Sequence, residues 1–365
     1  MALAAPRITQ PVPAPARPVI HAGYFNAASG LGMAARRLQT ALAVTGLDPV
    51  LADLTGPLRQ GPPAARPVVM SGPGTILVHV NGPMLPWALA VLGRRAVAGK
   101  RVIGVWNWEL PVIPPDWRRG FSHCHEIWAS SRFTADAFMS MGSVPVRVVP
   151  YPVAPAAPSG MGRAGFGLPE GAFLTLQILD AASSVARKNP AASIAAHRLA
   201  FGDDPARILV LKVHNTGRAG DAWREVAAMA AAQPNVMVLD RTITDADLSA
   251  LILCCDVLVS LHRAEGFGFT LAEALALGRP VVATGWSGNR DFMHAPGAHS
   301  VPFSLTAARD AQATYDVHGA IWADPDVAAA AALLRSIQAN HASRRPAPHR
   351  FPAPDYRALL HLPDA

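Results

Sequence analysis

Residues 260–293 read SLHRAEGFGFTLAEALALGRPVVATGWSGNRDFM. This order of short runs predicts a β-strand, a glycine-rich turn, an α-helix, a second strand and a second turn. Gly266 and Gly268 allow backbone N–H groups of the first turn to approach a ligand closely, because glycine has no side chain. The predicted helix opens near Phe269 and points the positive end of its dipole at the same place. The stretch therefore predicts an anion site that would fit a diphosphate.

Two glutamates flank this predicted anion site. Glu265 lies on the turn, and Glu273 lies eight residues later, about one helical turn into the helix. Carboxylates accept hydrogen bonds from hydroxyl groups, so both could hold a ligand whose phosphates occupy the anion site. A structural interpretation stays open, in which Glu265 caps the helix and Glu273 is an exposed helix residue.

The same alternation extends over most of the chain. From residue 18 onwards, short β-branched runs alternate with longer Ala- and Leu-rich runs, which is typical of an α/β fold with helix-covered parallel sheets. We predict strands at 18–25, 49–54, 75–81, 101–108, 126–131, 146–151, 173–180, 207–214, 235–240, 257–262 and 280–284. We predict helices at 30–45, 132–142 and 326–340.

Proline and glycine mark the divisions of the chain. The stretch from Val149 to Phe173 is rich in both, which predicts a linker. We expect two Rossmann-like domains, over 18–155 and 165–342, that face each other across a cleft. The proline-rich residues 343–365 predict a loosely packed C-terminal tail.

The composition excludes several classes of protein. The 365 residues are 51% hydrophobic and 16% charged, which is too apolar for a disordered chain. The net charge of +7 favours anionic partners and selects none of them. Cys124, Cys254 and Cys255 lack the spacing of metal ligands, so we expect buried thiols in a reducing compartment.

The sequence predicts neither a signal peptide nor a bilayer-spanning helix. The N-terminal residues have no unbroken apolar stretch, and no uncharged apolar run reaches the length of about 18 residues that a span needs. We expect a cytoplasmic protein. Arg94-Arg95 and Trp117-Arg118-Arg119 would suit peripheral contact with anionic lipid at the inner membrane face, or they are solvated surface arginines.

Several stretches together resemble one family. EGFGFTLAE, from Glu265 to Glu273, is similar to the E-x7-E signature of the retaining GT-B glycosyltransferases of family 4, and ALGRPVVATGWSGNRDFM is similar to the strand and loop that follow it. The resemblance extends over nearly all of residues 20–340 through GYFNAASGLGMAARR, WNWELPVIPPDW, EIWASSRFTADAF, RKNP and WADPD. Within the family, the chain resembles bacterial enzymes for exopolysaccharides or related glycans.

The resemblance implies a GT-B fold of two Rossmann-like domains. The C-terminal domain would hold a nucleotide diphosphate sugar, and the N-terminal domain would hold the acceptor, a glycan or a glycolipid. A hexose-type unit would be transferred with retention at the anomeric carbon, without a bound metal and without another cofactor. No nucleic-acid partner is expected.

The family's site residues carry over by position. Glu273 would bind the ribose hydroxyls, Glu265 would hold the sugar, and Lys188 would neutralise the diphosphate. The base would lie against the backbone around Arg241. The N–H groups of the donor-binding turn belong to Gly266, Phe267, Gly268, Phe269 and Thr270.

Two positions depart from the family pattern. The arginine that usually stands six residues before the lysine is Ala182 here, and we consider Arg187 as its substitute. The histidine that usually ends an N-terminal strand is Asn107 here, with Glu109 nearby. Asn and Glu can bind sugar hydroxyls, so this change indicates altered recognition rather than loss of activity. The candidate catalytic residues are Glu265, Lys188, Arg187 and Asn107.

Three shorter motifs carry less information. SGLG, from Ser29 to Gly32, opens a predicted helix, so Gly30 and Gly32 either line a second anion site or form a tight turn for packing. The D-x-D strings at 245–247 and 324–326 lie where helices begin, and we interpret them as helix caps rather than metal ligands.

Two other functions stay open. A GT-B-like binding or scaffold protein without catalysis is consistent with Ala182 and Asn107. A nicotinamide-dependent oxidoreductase is disfavoured, because no complete GxGxxG is followed by an acidic residue about 20 positions later.

Overall fold

The computed structural model describes residues 5–142, 144–340 and 346–362. Contacts among these residues divide the chain into two compact units, residues 1–152 with 352–365, and residues 153–351. Each unit is built around one parallel six-stranded sheet.

The first unit alternates strands and helices in chain order. Its elements are β1 (Val19–Gly23), α1 (Gly30–Val44), β2 (Val50–Asp53), β3 (Gly74–His79), α2 (Leu85–Leu92), α3 (Arg94–Val97), β4 (Lys100–Trp106), α4 (Arg118–Phe121), β5 (Glu126–Ala129), α5 (Arg132–Met139) and β6 (Val146–Val148). The strand order is β2-β1-β3-β4-β5-β6. The last strand is shorter than predicted, since Pro150 has no N–H to donate to the ladder.

The second unit repeats this arrangement. Its elements are β7 (Phe173–Asp180), α6 (Val185–Lys188), α7 (Pro190–Phe201), β8 (Arg207–His214), α8 (Asp221–Ala231), β9 (Val236–Asp240), α9 (Asp245–Cys254), β10 (Val257–Ser260), α10 (Phe269–Ala276), β11 (Val281–Thr284), β12 (Ala298–Val301), β13 (Phe303–Ala307), β14 (Ile321–Pro325) and α11 (Val327–Ala339). The strand order is β12-β11-β10-β7-β8-β9, and β13 pairs with β14 as a separate antiparallel hairpin.

Side chains on both faces of β8 in the second sheet are buried, as a parallel sheet between helices requires. Leu209, Leu211 and Val213 of β8 pack with helix residues such as Ile194 and Trp223 in one apolar core. The order of the strands places the carboxyl ends of β7 and β10 side by side. The loops that follow these two strands are therefore neighbours, although 77 residues separate Lys188 from Glu265.

The C-terminal residues pack more tightly than expected. Helix α12 (Tyr356–Leu360) belongs to the first unit, and the side chains of Tyr356 and Leu360 are fully buried. Arg101 donates to the Leu360 carbonyl, and the Tyr356 ring lies 6.4 Å from that of Trp128. The prediction of a loose tail is wrong for these residues, because the short amphipathic piece supplies two large side chains to a core. Residues 343–345 and 363–365 lie outside the described part of the chain.

Two further expectations can be compared with the structure. Cys124 and Cys255 are buried, as predicted, whereas Cys254 is only half-buried. None of the helices within the described residues combines the length and the apolar character that crossing a membrane requires.

Candidate functional site

The glycine-rich turn before α10 has the geometry that the sequence predicts. Gly268 is the residue before the helix and has φ +93°, a conformation that favours glycine. The first turn of α10 contains no acidic side chain, and Gly268 has no side chain with which to cap it. No capping or acidic side chain of its own first turn therefore offsets the positive partial charge at the amino-terminal end of this helix.

The loop after β11 supports the glycine-rich turn before α10. The N–H of Gly288 donates to the Glu265 carbonyl at 2.8 Å, and the Ser287 hydroxyl accepts from the Glu265 N–H at 2.8 Å. A side chain at position 288 would collide with the carbonyl oxygen of Gly266, so only glycine fits there. This contact explains why residue 288, in the loop after β11, is a glycine.

A buried histidine joins the two turns to the sheet. His262, at the end of β10, is hydrogen-bonded to the Ser260 hydroxyl at 3.0 Å and to the side-chain oxygen of Asn289 at 3.1 Å. Asn289 in turn donates to the Thr284 carbonyl. Burial lowers the pKa of His262 below its usual value. His262 is therefore part of the support of the turn.

Lys188 and Glu265 form the centre of the candidate site. Lys188 is the last residue of α6, after β7, and its ammonium group contacts one carboxylate oxygen of Glu265. The Arg187 guanidinium lies 3.4 Å from the other oxygen. The side chains of Lys188 and Glu265 are 20% and 12% exposed, so a ligand can reach both groups.

The charge of Glu265 is fixed by these neighbours. Burial alone would raise the pKa of its carboxyl group, but the Lys188 ammonium and the Arg187 guanidinium together lower the pKa to about 2. Glu265 is therefore ionised at neutral pH and acts as a hydrogen-bond acceptor. Its partners are two cations, which excludes the interpretation that it only caps the helix.

Arg187 is buried among protein acceptors. Its side chain is 3% exposed, and it donates to the carbonyl oxygens of Ala264 at 2.8 Å and Ser183 at 3.0 Å. The Tyr315 ring packs against it, with 5.0 Å from the guanidinium carbon to the ring centroid. This geometry makes Arg187 a support for Glu265, and its substitution for the missing arginine at the diphosphate stays a prediction.

Glu273 is buried in the middle of α10. It is 3% exposed, so the interpretation of an exposed helix residue is wrong. A carboxylate is costly to bury, so its burial in α10 favours a specific task. That the task is ribose binding stays a prediction.

Arg241 borders a cavity beside the same sheet edge. The guanidinium carbon lies 5.7 Å from the centroid of the Phe166 ring. The cavity has a volume of about 360 Å³, and its wall is formed by Met161, Phe166, Arg241, Thr242, Ile243, Thr244 and Asp247. A cavity with an aromatic ring and a planar cation can accept a flat ring such as a nucleobase.

The candidates of the first unit form a separate group. Asn107 follows β4; its side-chain oxygen accepts from Ser130, its side-chain amide donates to Glu109 at 2.8 Å, and its N–H donates to Asn81. Asn107 thus links the ends of three adjacent strands, β3, β4 and β5. Asn107 and Glu109 are both half-buried, and binding of a sugar hydroxyl by either residue stays a prediction.

Gly30 and Gly32 differ in what their surroundings require. A side chain at Gly32 would collide with the carbonyl oxygens of Ala27 and Tyr24, which confirms tight packing there. A side chain at Gly30 would meet no atom, so packing does not explain that glycine. Anion binding by Gly30 stays a prediction.

The capping interpretation of both D-x-D strings is confirmed. The Thr244 hydroxyl accepts from the Asp247 N–H at the start of α9, and Asp326 accepts from the Ala329 N–H at the start of α11. Within the described residues, no three His, Cys, Asp or Glu side chains are grouped as metal ligands.

Comparison with known proteins supports the glycosyltransferase resemblance. Residues 197–324 match the family model described as glycosyl transferases group 1. Among solved structures, HepE from Anabaena in complex with UDP and glucose has a TM-score of 0.54 and 14% identity, and the match covers 75% of this chain and 82% of that one. The trehalose 6-phosphate synthase of Burkholderia multivorans has a TM-score of 0.51 and 14% identity, and the match covers 75% and 64%.

The fold is GT-B. TarM from S. aureus is also similar, with a TM-score of 0.46 and 14% identity over 60% of this chain, but the chain spans only 43% of that protein. No curated protein matches the sequence. The likeness to HepE and to the trehalose 6-phosphate synthase confirms the predicted fold class, while the roles of the individual GT-B site residues stay predictions.

The pairing of Glu265 predicts how stability depends on pH. Its pKa in the folded protein, about 2, lies below the ordinary value of 4.5, so the ionised group contributes stability that is present above 4.5 and is lost as the pH falls towards 2. In Glu265→Gln this contribution is absent. We expect the Tm of the wild type to fall more steeply than that of the variant between about pH 5 and pH 2.

Scanning calorimetry over this pH range makes the comparison. Glu225→Gln is the matched control, because Glu225 is an exposed residue of α8. Its pH profile should follow the wild type. Parallel profiles of the wild type and Glu265→Gln would contradict the assignment of the low pKa.

Proposed function

We propose that this protein is a glycosyltransferase that moves a sugar from a nucleotide diphosphate sugar to a hydroxyl group of a glycan or glycolipid. The observation that carries the proposal is the contact of Lys188 with Glu265 at the uncapped end of α10. A cation and a helix end can bind a diphosphate, and an ionised carboxylate beside them can bind the hydroxyls of the attached sugar. The family match of residues 197–324 supports the same activity.

The chemical task of the site is electrostatic. When the bond between the sugar and the diphosphate lengthens, negative charge grows on the leaving group. Lys188 and the N–H groups of residues 266–270 are held where they can stabilise that charge. One preorganised donor of this kind typically lowers the barrier by roughly 2.7–4 kcal/mol. We therefore propose that no metal ion is needed for departure of the diphosphate.

Glu265 would act on the other side of the breaking bond. The sugar ring gains positive charge as the leaving group departs, and an ionised carboxylate stabilises that charge while it accepts hydrogen bonds from sugar hydroxyls. The pKa of about 2 keeps Glu265 ionised over the whole physiological range. Retention at the anomeric carbon belongs to the proposal through the family resemblance.

The distribution of charge favours an anionic acceptor. The excess of Lys and Arg over Asp and Glu lies entirely in the first unit, while basic and acidic residues balance in residues 153–351. An acceptor with phosphate or carboxylate groups, such as a lipid-linked glycan, fits a basic surface. We propose that the first unit holds such an acceptor and includes any contact with the membrane.

A donor panel tests this function directly. UDP-glucose is the first donor to test, because the HepE structure contains UDP and glucose. We expect one nucleotide sugar of the panel to raise the Tm and to be consumed in the presence of a glycan or lipid-linked acceptor. The product should retain the anomeric configuration of the donor. The rate of transfer should be equal with and without EDTA. Binding without transfer would favour a binding protein instead. A Tm shift with NAD alone would contradict the proposal.

The two glutamates should differ in what their loss does. Glu273→Gln should weaken binding of the bare nucleoside diphosphate and of the intact donor to the same extent. Contacts with the ribose exist before and during the reaction, so their loss appears mainly as a higher KM. Glu265→Gln should leave nucleoside diphosphate affinity nearly unchanged and lower kcat by about tenfold or more, about 1.4 kcal/mol per tenfold. Calorimetric titration beside steady-state kinetics measures both.

Glu225→Gln serves again as the control and should leave both constants unchanged. Equal losses of nucleoside diphosphate affinity in Glu265→Gln and Glu273→Gln would show that the roles are not divided in this way.

A further inference from the structure

The turn that carries Lys188 is not held by its own residues alone. It runs from the short 3-10 turn Ala181–Ser183 through α6, which is only four residues long. Ser184 between them has φ +72°, an uncommon conformation for a residue with a side chain. Its hydroxyl accepts from the Arg187 N–H, so it caps the turn from within. A short helix with such a backbone needs support from outside.

Asp310 supplies part of that support. It lies on the segment 308–320 between β13 and β14, and it is 8% exposed. One of its oxygens accepts from the Ser184 hydroxyl at 2.9 Å, and the other accepts from the N–H groups of Thr314 and Tyr315 at 3.0 and 3.1 Å. The carboxylate thus orders its own loop. It also holds Ser184, the residue of positive φ in the turn that carries Lys188.

Gln312 holds the same turn at two more points. Its side-chain oxygen accepts from the Val185 N–H at 2.6 Å, and its side-chain amide donates to the Ala181 carbonyl at 2.9 Å. These bonds satisfy the first N–H of α6 and the carbonyl of the preceding turn. Tyr315, three residues later, packs on the Arg187 guanidinium. The segment therefore contacts the turn at its start, at its cap and at the residue before Lys188.

We propose that residues 310–315 position Lys188 for the diphosphate, with Asp310 and Gln312 as positioning residues that do not touch the substrate. The inference rests on the proposed function and deepens it. Because Arg187 faces protein acceptors, Lys188 is the cation of this turn that a diphosphate can reach. A displacement of about 1 Å in such a group can cost roughly 100-fold in rate. The segment thus makes an intrinsically irregular turn rigid enough for its task.

A double-mutant cycle between Gln312→Ala and Lys188→Ala tests this positioning role. If Gln312 acts through Lys188, Gln312→Ala should lower kcat at least tenfold in the wild type and should change kcat less than twofold in the Lys188→Ala background. Asp310→Asn is the second variant, since an amide cannot accept from all of the present donors. It should show the same pattern.

Ligand affinity separates positioning from general damage. In both variants the affinity for the nucleoside diphosphate should fall at least threefold, whereas the affinity for the nucleoside without phosphates should stay unchanged. Asp316→Asn is the matched control, because Asp316 is an exposed carboxylate of the same segment, and it should resemble the wild type throughout.

Two results would overturn the inference: losses of kcat that add fully in the double variants, or equal weakening of the nucleoside and its diphosphate. The measurements of transfer and of ligand affinity also distinguish this inference from the proposed function. If the wild type binds a nucleoside diphosphate and transfers no sugar, the proposed transfer fails, while the affinity comparison still decides whether the segment positions Lys188.

Discussion

The contact between Lys188 and Glu265 is the interaction on which the rest of the candidate site depends. Burial disfavours the ionised form of Glu265 and the nearby cations favour it, so removal of one partner of this mostly buried pair leaves the other uncompensated. Both residues follow strands that are neighbours in the second sheet, β7 and β10. The parallel strand order is therefore what converts two distant residues into one site.

The surroundings of this pair are built to keep it in place. On the side of Glu265, Ser287 and Gly288 hold the backbone of the glycine-rich turn, and the buried His262 and Asn289 tie that support to the sheet. On the side of Lys188, the segment between β13 and β14 satisfies the backbone of a short irregular turn. Two rigid supports facing each other across one ion pair are the arrangement expected of a preorganised electrostatic site.

The sheets and the glycine-rich turn could be predicted from the sequence, because regular patterns indicate them. The alternation of runs predicts the parallel sheets, and EGFGFTLAE predicts the turn and helix, because strand and helix periods and glycine conformation are local properties. The burial of Arg187 could not be predicted, since it depends on carbonyl groups of Ser183 and Ala264 that the fold brings together. Polar loop residues such as Asp310 and Gln312 carry no periodic signal, so their contacts with a turn more than 120 residues earlier are visible only in the structure.

The central claim is that Lys188 and Glu265 bind different parts of one ligand. Lys188 binds the diphosphate, and Glu265 binds the sugar. A crystal structure of the wild-type protein with a non-hydrolysable nucleotide diphosphate sugar measures this directly. The account predicts an oxygen of the diphosphate within hydrogen-bond distance of the Lys188 ammonium, and a sugar hydroxyl within hydrogen-bond distance of the Glu265 carboxylate. A ligand bound elsewhere, with Lys188 contacting Glu265 alone, would contradict it.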